Sequence, residues 1–245
     1  MFVWFHRLAS PPYFYRVAQK LSPWLGWASL LLILAGLYGG LWLAPPDFRQ
    51  GDGFRIMYVH VPSAWMSMFI YAVMAAAAAV GLIWRLKLAH AVSTAAAPLG
   101  ASFTFLALVT GALWGKPMWG TYWVWGARLT SELVLLFLYF GFIALSHAFE
   151  DRRTGDRASA VLALVGAVNL PIIHYSVVWW NTLHQGPTVF FGPERDIAPS
   201  MFIPLFIMIA GFMLYFGAFV LKRLQIEVLQ RERHTAWVEE LVRKS

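Results

Sequence analysis

The chain has 245 residues, 60% of them hydrophobic and only 13% charged, where soluble domains carry about 25% charge. That balance excludes an ordinary water-soluble enzyme, and bases flanking membrane helices explain the net charge of +7 without a nucleic-acid partner. The absence of cysteine excludes disulfides, thiolate metal sites, thiol catalysis and thioether-attached cofactors.

Residues 1–20 mix Arg7, Arg16 and Lys20 with aromatics around Pro11 and Pro12, as in a segment lying along a membrane surface. The uncharged run 21–46 exceeds the ~20 apolar residues needed to cross a bilayer. It predicts helix one over 23–43, ended by Pro45 and Pro46. The run is too long for a signal-peptide core and has no small-residue cleavage site, so it reads as a retained helix. Residues 47–55 form a polar loop, and helix two is predicted over 60–84 with Pro62 in its first turn. Helix three is predicted over 92–113 and helix four over 129–149, with Glu132 in its first turn. Helix five spans 158–180 and should kink at Pro171, the longest loop covers 181–200, and helix six spans 201–221. The charged tail 222–245 reads as helical. The expectation is an all-α, single six-helix membrane domain over 1–245.

Six crossings put both termini on one side. That side carries fourteen of the Lys and Arg residues and the other five, so the positive-inside rule places both termini, including the 222–245 tail, in the cytoplasm. The segment between helices three and four, 114–128, then faces outward. It holds Trp114, Trp119, Trp123 and Trp125 with Lys116 and Arg128 and no carboxylate. Indole suits a boundary between apolar and wet surroundings. The segment is therefore either an interfacial belt or a platform for a flat, apolar, anionic ligand.

The histidines sort by topology. His6, His90, His147 and His234 fall at the cytoplasmic side and read as solvated or interfacial. His174 lies inside helix five, where hydrogen bonding between helices or to backbone freed by Pro171 is the simplest role. His60 and His184 both fall at the outer face, from different helices, level with the tryptophans. Two neutral imidazoles facing each other across a macrocycle can fill both axial positions of haem iron. Arg55 and Arg128, at the same depth, could pair with propionates. A transporter, a b-type cytochrome and a plain anchor subunit remain as alternatives. No Walker-type phosphate loop and no H-E-x-x-H occurs, which argues against an ATPase or zincin site. Glu132 lies four residues after Arg128 and can pair with it on a helix.

W-G-T-Y-W-V-W-G-A-R-L-T-S-E-L at 119–133 resembles the tryptophan-rich "WWD" signature of the haem-handling proteins. With G-K-P-M-W-G at 115–120, H-V-P at 60–62 and N-L-P-I-I-H-Y-S-V-V-W-W-N-T-L-H-Q-G at 169–186, it is similar over nearly its whole length to the haem exporter C (CcmC) family of bacterial cytochrome c maturation. The resemblance implies an inner-membrane module that is not itself an enzyme. It would bind haem b non-covalently at the periplasmic face and present it to the haem chaperone CcmE. It further implies the ABC-transporter subunits CcmA and CcmB, with ATP hydrolysis in CcmA, and the small membrane protein CcmD. Carried over position by position, the axial ligands fall on His60 and His184. The platform falls on Trp114, Trp119, Gly120, Trp123 and Trp125, with Arg128 in the same motif. One position departs: the family signature has aspartate after its last tryptophan, where this chain has Gly126.

Overall fold

The computed structural model describes residues 10–180, 183–184 and 197–244. His6 and Arg7 and most of the 181–200 loop lie outside the described residues. Helix α1 is Pro11–Tyr38, running into a π-helical turn, Gly39–Leu43. A 3-10 turn, Asp52–Ile56, leads into α2, Met57–Trp84. Then come α3, Lys87–Trp119, and α4, Ala127–His147. The next crossing is built from α5, Arg152–Gly166, and α6, Asn169–Trp179. Helix α7, Pro199–Arg231, is followed by the short α8, Ala236–Lys244. Six segments are long and apolar enough to cross a membrane, and among the described residues there is no strand.

The core sits where α2 meets α3, α5 and α7, and α4 closes against α3 and α5. Met66, Ile70, Met74, Leu135, Leu205 and Met208 are fully buried there. Lipid tails give helices no hydrophobic reason to associate, so close approach at small residues and interhelical hydrogen bonds must supply the contact. Along α1 and α7, Gly36 meets Met208 and Gly211 meets Ile33 with no room for a Cβ, and Ser29 Oγ donates to the Gly211 carbonyl at 2.9 Å. Gly100 on α3 likewise admits the ring of Tyr139, whose hydroxyl donates to the Ser67 carbonyl at 2.7 Å.

Away from the tryptophan segment, at the opposite end, charges knit the helices together. Arg231 on α7 donates twice to Asp156 on α5, at 2.7 and 2.9 Å, and its Nε to Glu227 at 2.8 Å. Arg152 also pairs with Glu227. Trp237 of α8 packs beneath this end against Ala91, Ala95, Leu224 and Val228.

Four local expectations change. Residues 11–20 are not a separate surface segment but the first turns of α1, because Pro11 and Pro12 occupy its opening positions, where proline suits a helix. Pro62 lies inside α2 rather than in its first turn, because the helix starts at Met57. Helix α3 runs on through Pro117 to Trp119, so Trp114 is helical rather than looped. The predicted kink at Pro171 falls upstream, as a turn at residues 167–168 where the backbone stays in the right-handed helical region but the regular α ladder is interrupted. The proline cannot bond the carbonyl of Ala167, four residues back, and its ring would clash with it. The tail 222–245 is helical as expected, but its first part continues α7 to Arg231.

Candidate functional site

His60 lies in the first turns of α2, against one stripe of α3. Residues 107, 110, 111 and 114 follow helical spacing, which puts them on one face. The His60 Nδ1–H points at two acceptors, the Ala107 carbonyl at 3.0 Å and Thr110 Oγ1 at 3.1 Å. Thr110 donates its own proton to the Leu106 carbonyl at 2.6 Å, so toward His60 it can only accept. The proton is thereby fixed on Nδ1, and Nε2 carries the lone pair, the tautomer a metal-binding imidazole needs. Gly111 leaves the space the ring fills. Trp114 meets the ring edge to face, with centroids 5.6 Å apart.

The tryptophan segment is shaped by two turns. Gly120 ends α3 at φ +76°, a left-handed conformation that glycine adopts without strain, with its N–H on the Lys116 carbonyl. Lys116 Nζ returns to the Gly120 carbonyl at 3.0 Å, and Thr121 Oγ1 donates to the Trp123 carbonyl at 3.1 Å. Gly126 sits at the N-cap of α4 with extended backbone and no capping side chain.

Between these turns opens a cleft of about 270 Å³, lined by Trp119, Val124, Trp125, Gly126, Arg128, Leu129, Leu183 and His184. His184 lies beside Trp119, ring centroids 6.3 Å apart. Trp125 is 77% exposed and stands edge to face with Trp123 at 5.4 Å. The Trp123 indole N–H is buried with no acceptor among the described residues. Arg128 brings a cation to the cleft, and one of its nitrogens donates to the Ile173 carbonyl of α6 at 2.8 Å. Asn169 adds a second tie from α6 to α4 through the Ser131 carbonyl at 2.8 Å. The helix that leads to His184 is thus held against the helix that carries Arg128.

The structure therefore gathers Trp119, Trp125, Arg128 and His184 around one cleft, and His60 with Trp114 in a notch at the same end of the bundle. Arg55 is not among the cleft residues: it donates to the Gly40 carbonyl at 2.8 Å and to Asp52 at 2.9 Å, bracing the end of α1. The expected pairing of Arg128 with Glu132 is not made among the described residues. Glu132 turns instead toward α2 and accepts from Ser67 Oγ at 2.7 Å. His174 is exposed on the outside of α6 against Tyr175, rather than bonded between helices. The supporting residues Ala107, Thr110 and Gly111 were missed in the sequence. Counting back from Trp114 by three, four and seven along a helix would have found them.

Six segments long and apolar enough to cross a membrane, with a histidine notch and a tryptophan-lined cleft at one end, define a multi-pass membrane protein whose candidate site lies at a bundle end. The chain belongs to the heme exporter protein C family, whose model matches residues 4–239. Over 239 residues it is 54% identical to heme exporter protein C of Escherichia coli K12, covering 98% of this chain and 96% of that protein. With its counterpart from Haemophilus influenzae it shares 49% over 241 residues, 98% of each chain. A putative cytochrome c biosynthesis ccmC-like mitochondrial protein of Marchantia polymorpha is 44% identical over 206 residues, covering 84% of this chain and 85% of that one.

Proposed function

We propose that the chain delivers haem for cytochrome c maturation by holding haem b, non-covalently, at the periplasmic face of the bacterial inner membrane. Its place in the heme exporter protein C family supports the haem-delivery role. The observation that carries the site is the His60 notch: both acceptors face Nδ1, so Nε2 is left as a lone pair at the bundle end where His184 stands against Trp119. The asymmetry of bases between the two faces supports the outward orientation, with both termini cytoplasmic.

The residues present fit such a ligand. Haem supplies a flat apolar ring, an iron with two axial positions, and two carboxylates. His60 and His184 are the axial donors. Trp114 and Trp119 pack against the two imidazoles, and the exposed Trp125 offers its face beside the cleft, where Trp123 braces it. Gly120 sets the turn that aims this platform. Arg128 is the carboxylate partner inside the cleft. Arg55, five residues before His60, is the proposed second, outside the cleft and also holding the Gly40 carbonyl and Asp52. The haem chaperone CcmE takes the haem from this end, and CcmD, CcmB and the ATP-hydrolysing CcmA complete the assembly. The chain itself acts as one six-helix domain over 1–245 and catalyses no bond-making step. A b-type cytochrome reading finds no support, because His174 points away from the bundle.

The test is the visible spectrum of protein purified with its chaperone, wild type against His60→Ala and His184→Ala. The expected result is loss of the bis-imidazole bands in both variants. Unchanged haem content and bands in both would overturn the assignment.

A further inference from the structure

The polar loop between α1 and α2 has a part in the site that the family's site residues, as carried over above, do not include. Its fold is fixed locally. Asp47 Oδ1 accepts from the Arg49 and Gln50 amides, both at 2.8 Å. Asp47 and Gly51 exchange backbone bonds at 3.1 and 2.9 Å, and Gly51 closes the loop at φ +56°, where a side chain would be strained. The 3-10 turn that follows packs on α3, where a Cβ on Gly53 would lie 3.7 Å from Met118 Cε. This hydrogen-bonded loop delivers Gln50, whose Oε1 accepts the Trp114 indole N–H at 2.9 Å. Trp114 in turn stands edge to face on His60 at 5.6 Å, interplanar angle 78°.

The geometry points to Gln50 as a positioning residue for His60, acting through Trp114. An indole N–H in a half-buried setting needs an acceptor, and losing it costs the desolvated donor its only compensation. With Gln50 in place, the indole has one orientation, and its edge fixes one side of the imidazole while Ala107 and Thr110 fix the other. Without it, the indole is free to turn toward water and the histidine ring is uncovered on that side. The consequence for haem rests on the reading of His60 as an axial ligand.

Two readouts separate the brace from that reading. The first uses haem-free full-length protein and follows modification of His60 by diethyl pyrocarbonate, peptide by peptide, in mass spectra. Gln50→Leu, close in size but without an acceptor, should label His60 several-fold faster than wild type. Gln50→Glu, which keeps an acceptor oxygen at the same reach, should restore the wild-type rate. The second uses haem-loaded protein and measures transfer of haem to an excess of apomyoglobin. Gln50→Leu should release haem about ten-fold faster, with Gln50→Glu close to wild type. Equal His60 labelling in Gln50→Leu and wild type overturns the positioning role. If labelling changes but His60→Ala leaves the haem spectrum intact, the brace stands and the axial assignment falls.

Discussion

A Cβ placed on Gly111 would lie 2.9 Å from Cε1 of His60. The imidazole therefore occupies the volume that the next larger residue would claim. Gly111→Ala should push the ring off its two acceptors. The crowding falls on one side chain, and overpacking of this kind costs about 1–3 kcal/mol. The expected outcome is a folded protein with much reduced haem per polypeptide. Haem content and a melting curve on the same preparation check it, and wild-type haem content would show that the notch is not needed.

Thr110→Val keeps the shape of the side chain and removes the hydroxyl oxygen that faces His60 Nδ1 at 3.1 Å. Loss of an outer partner of a metal-binding histidine typically weakens metal binding about 10- to 100-fold. The Ala107 carbonyl still holds the ring at 3.0 Å, so the lower end of that range is expected. A haem titration of the purified variant measures it. Unchanged affinity would show that Ala107 alone orients the ring.

Gly126→Asp should be accepted and mildly stabilising. Nothing lies within 4 Å of a Cβ at this position, and its φ of −99° suits any residue. As N-cap of α4 it presently offers no side-chain acceptor. Aspartate there should add a few tenths of a kcal/mol from capping and about 0.3–1 kcal/mol from the helix dipole. The melting temperature should rise by a degree or more; a fall would mean that the open space is filled in the assembled complex.

Asp151 gives a pH signature at the other end of the molecule. It caps α5, accepting from Thr154 Oγ1 at 2.7 Å and from the Thr154 and Arg153 amides at 3.1 and 3.3 Å. These bonds, the Thr154 hydroxyl foremost, hold its carboxyl below the usual carboxylate value. The folded state thus favours the ionised form. The stabilisation is present above the unfolded pKa, near 3.9, and is lost as pH falls through the lower folded value. Asp151→Ala should melt below wild type at pH 7, and the gap should narrow below about pH 4. A gap that stays constant to pH 3 would assign the cap to something other than charge.

How much of this was legible in the sequence depends on what a residue's role requires. The six crossings follow from uncharged runs, since only a helix satisfies its own backbone in lipid. Trp119, Trp125, Arg128 and His184 could be placed at one face because each follows or precedes a crossing. Helix ends were harder. Pro11 was read as part of a surface segment and Pro62 as a first-turn residue, yet Pro11 opens α1 and Pro62 lies further inside α2. Side-chain partners were hardest. Arg128 and Glu132 share a helical face by spacing, but Arg128 bonds to α6 and Glu132 to α2. Spacing says which side of a helix a residue occupies, and only packing says which neighbour stands there. Gln50 illustrates the same limit: nothing in its own segment announces a partner 64 residues away.

The turn at residues 167–168 bears on how a ligand held in the proposed way would be let go. His60 rides on a 28-residue helix wedged into the middle of the bundle. His184 follows an 11-residue piece jointed to the rest of its crossing, and two side-chain ties from Arg128 and Asn169 fasten that piece to α4. In the proposed grip one jaw sits on a continuous helix and the other on a jointed one. A partner that competed for Arg128 would remove one of the ties on the jointed jaw and leave His60 in its notch. The cation proposed to attract the cargo would then also be the latch.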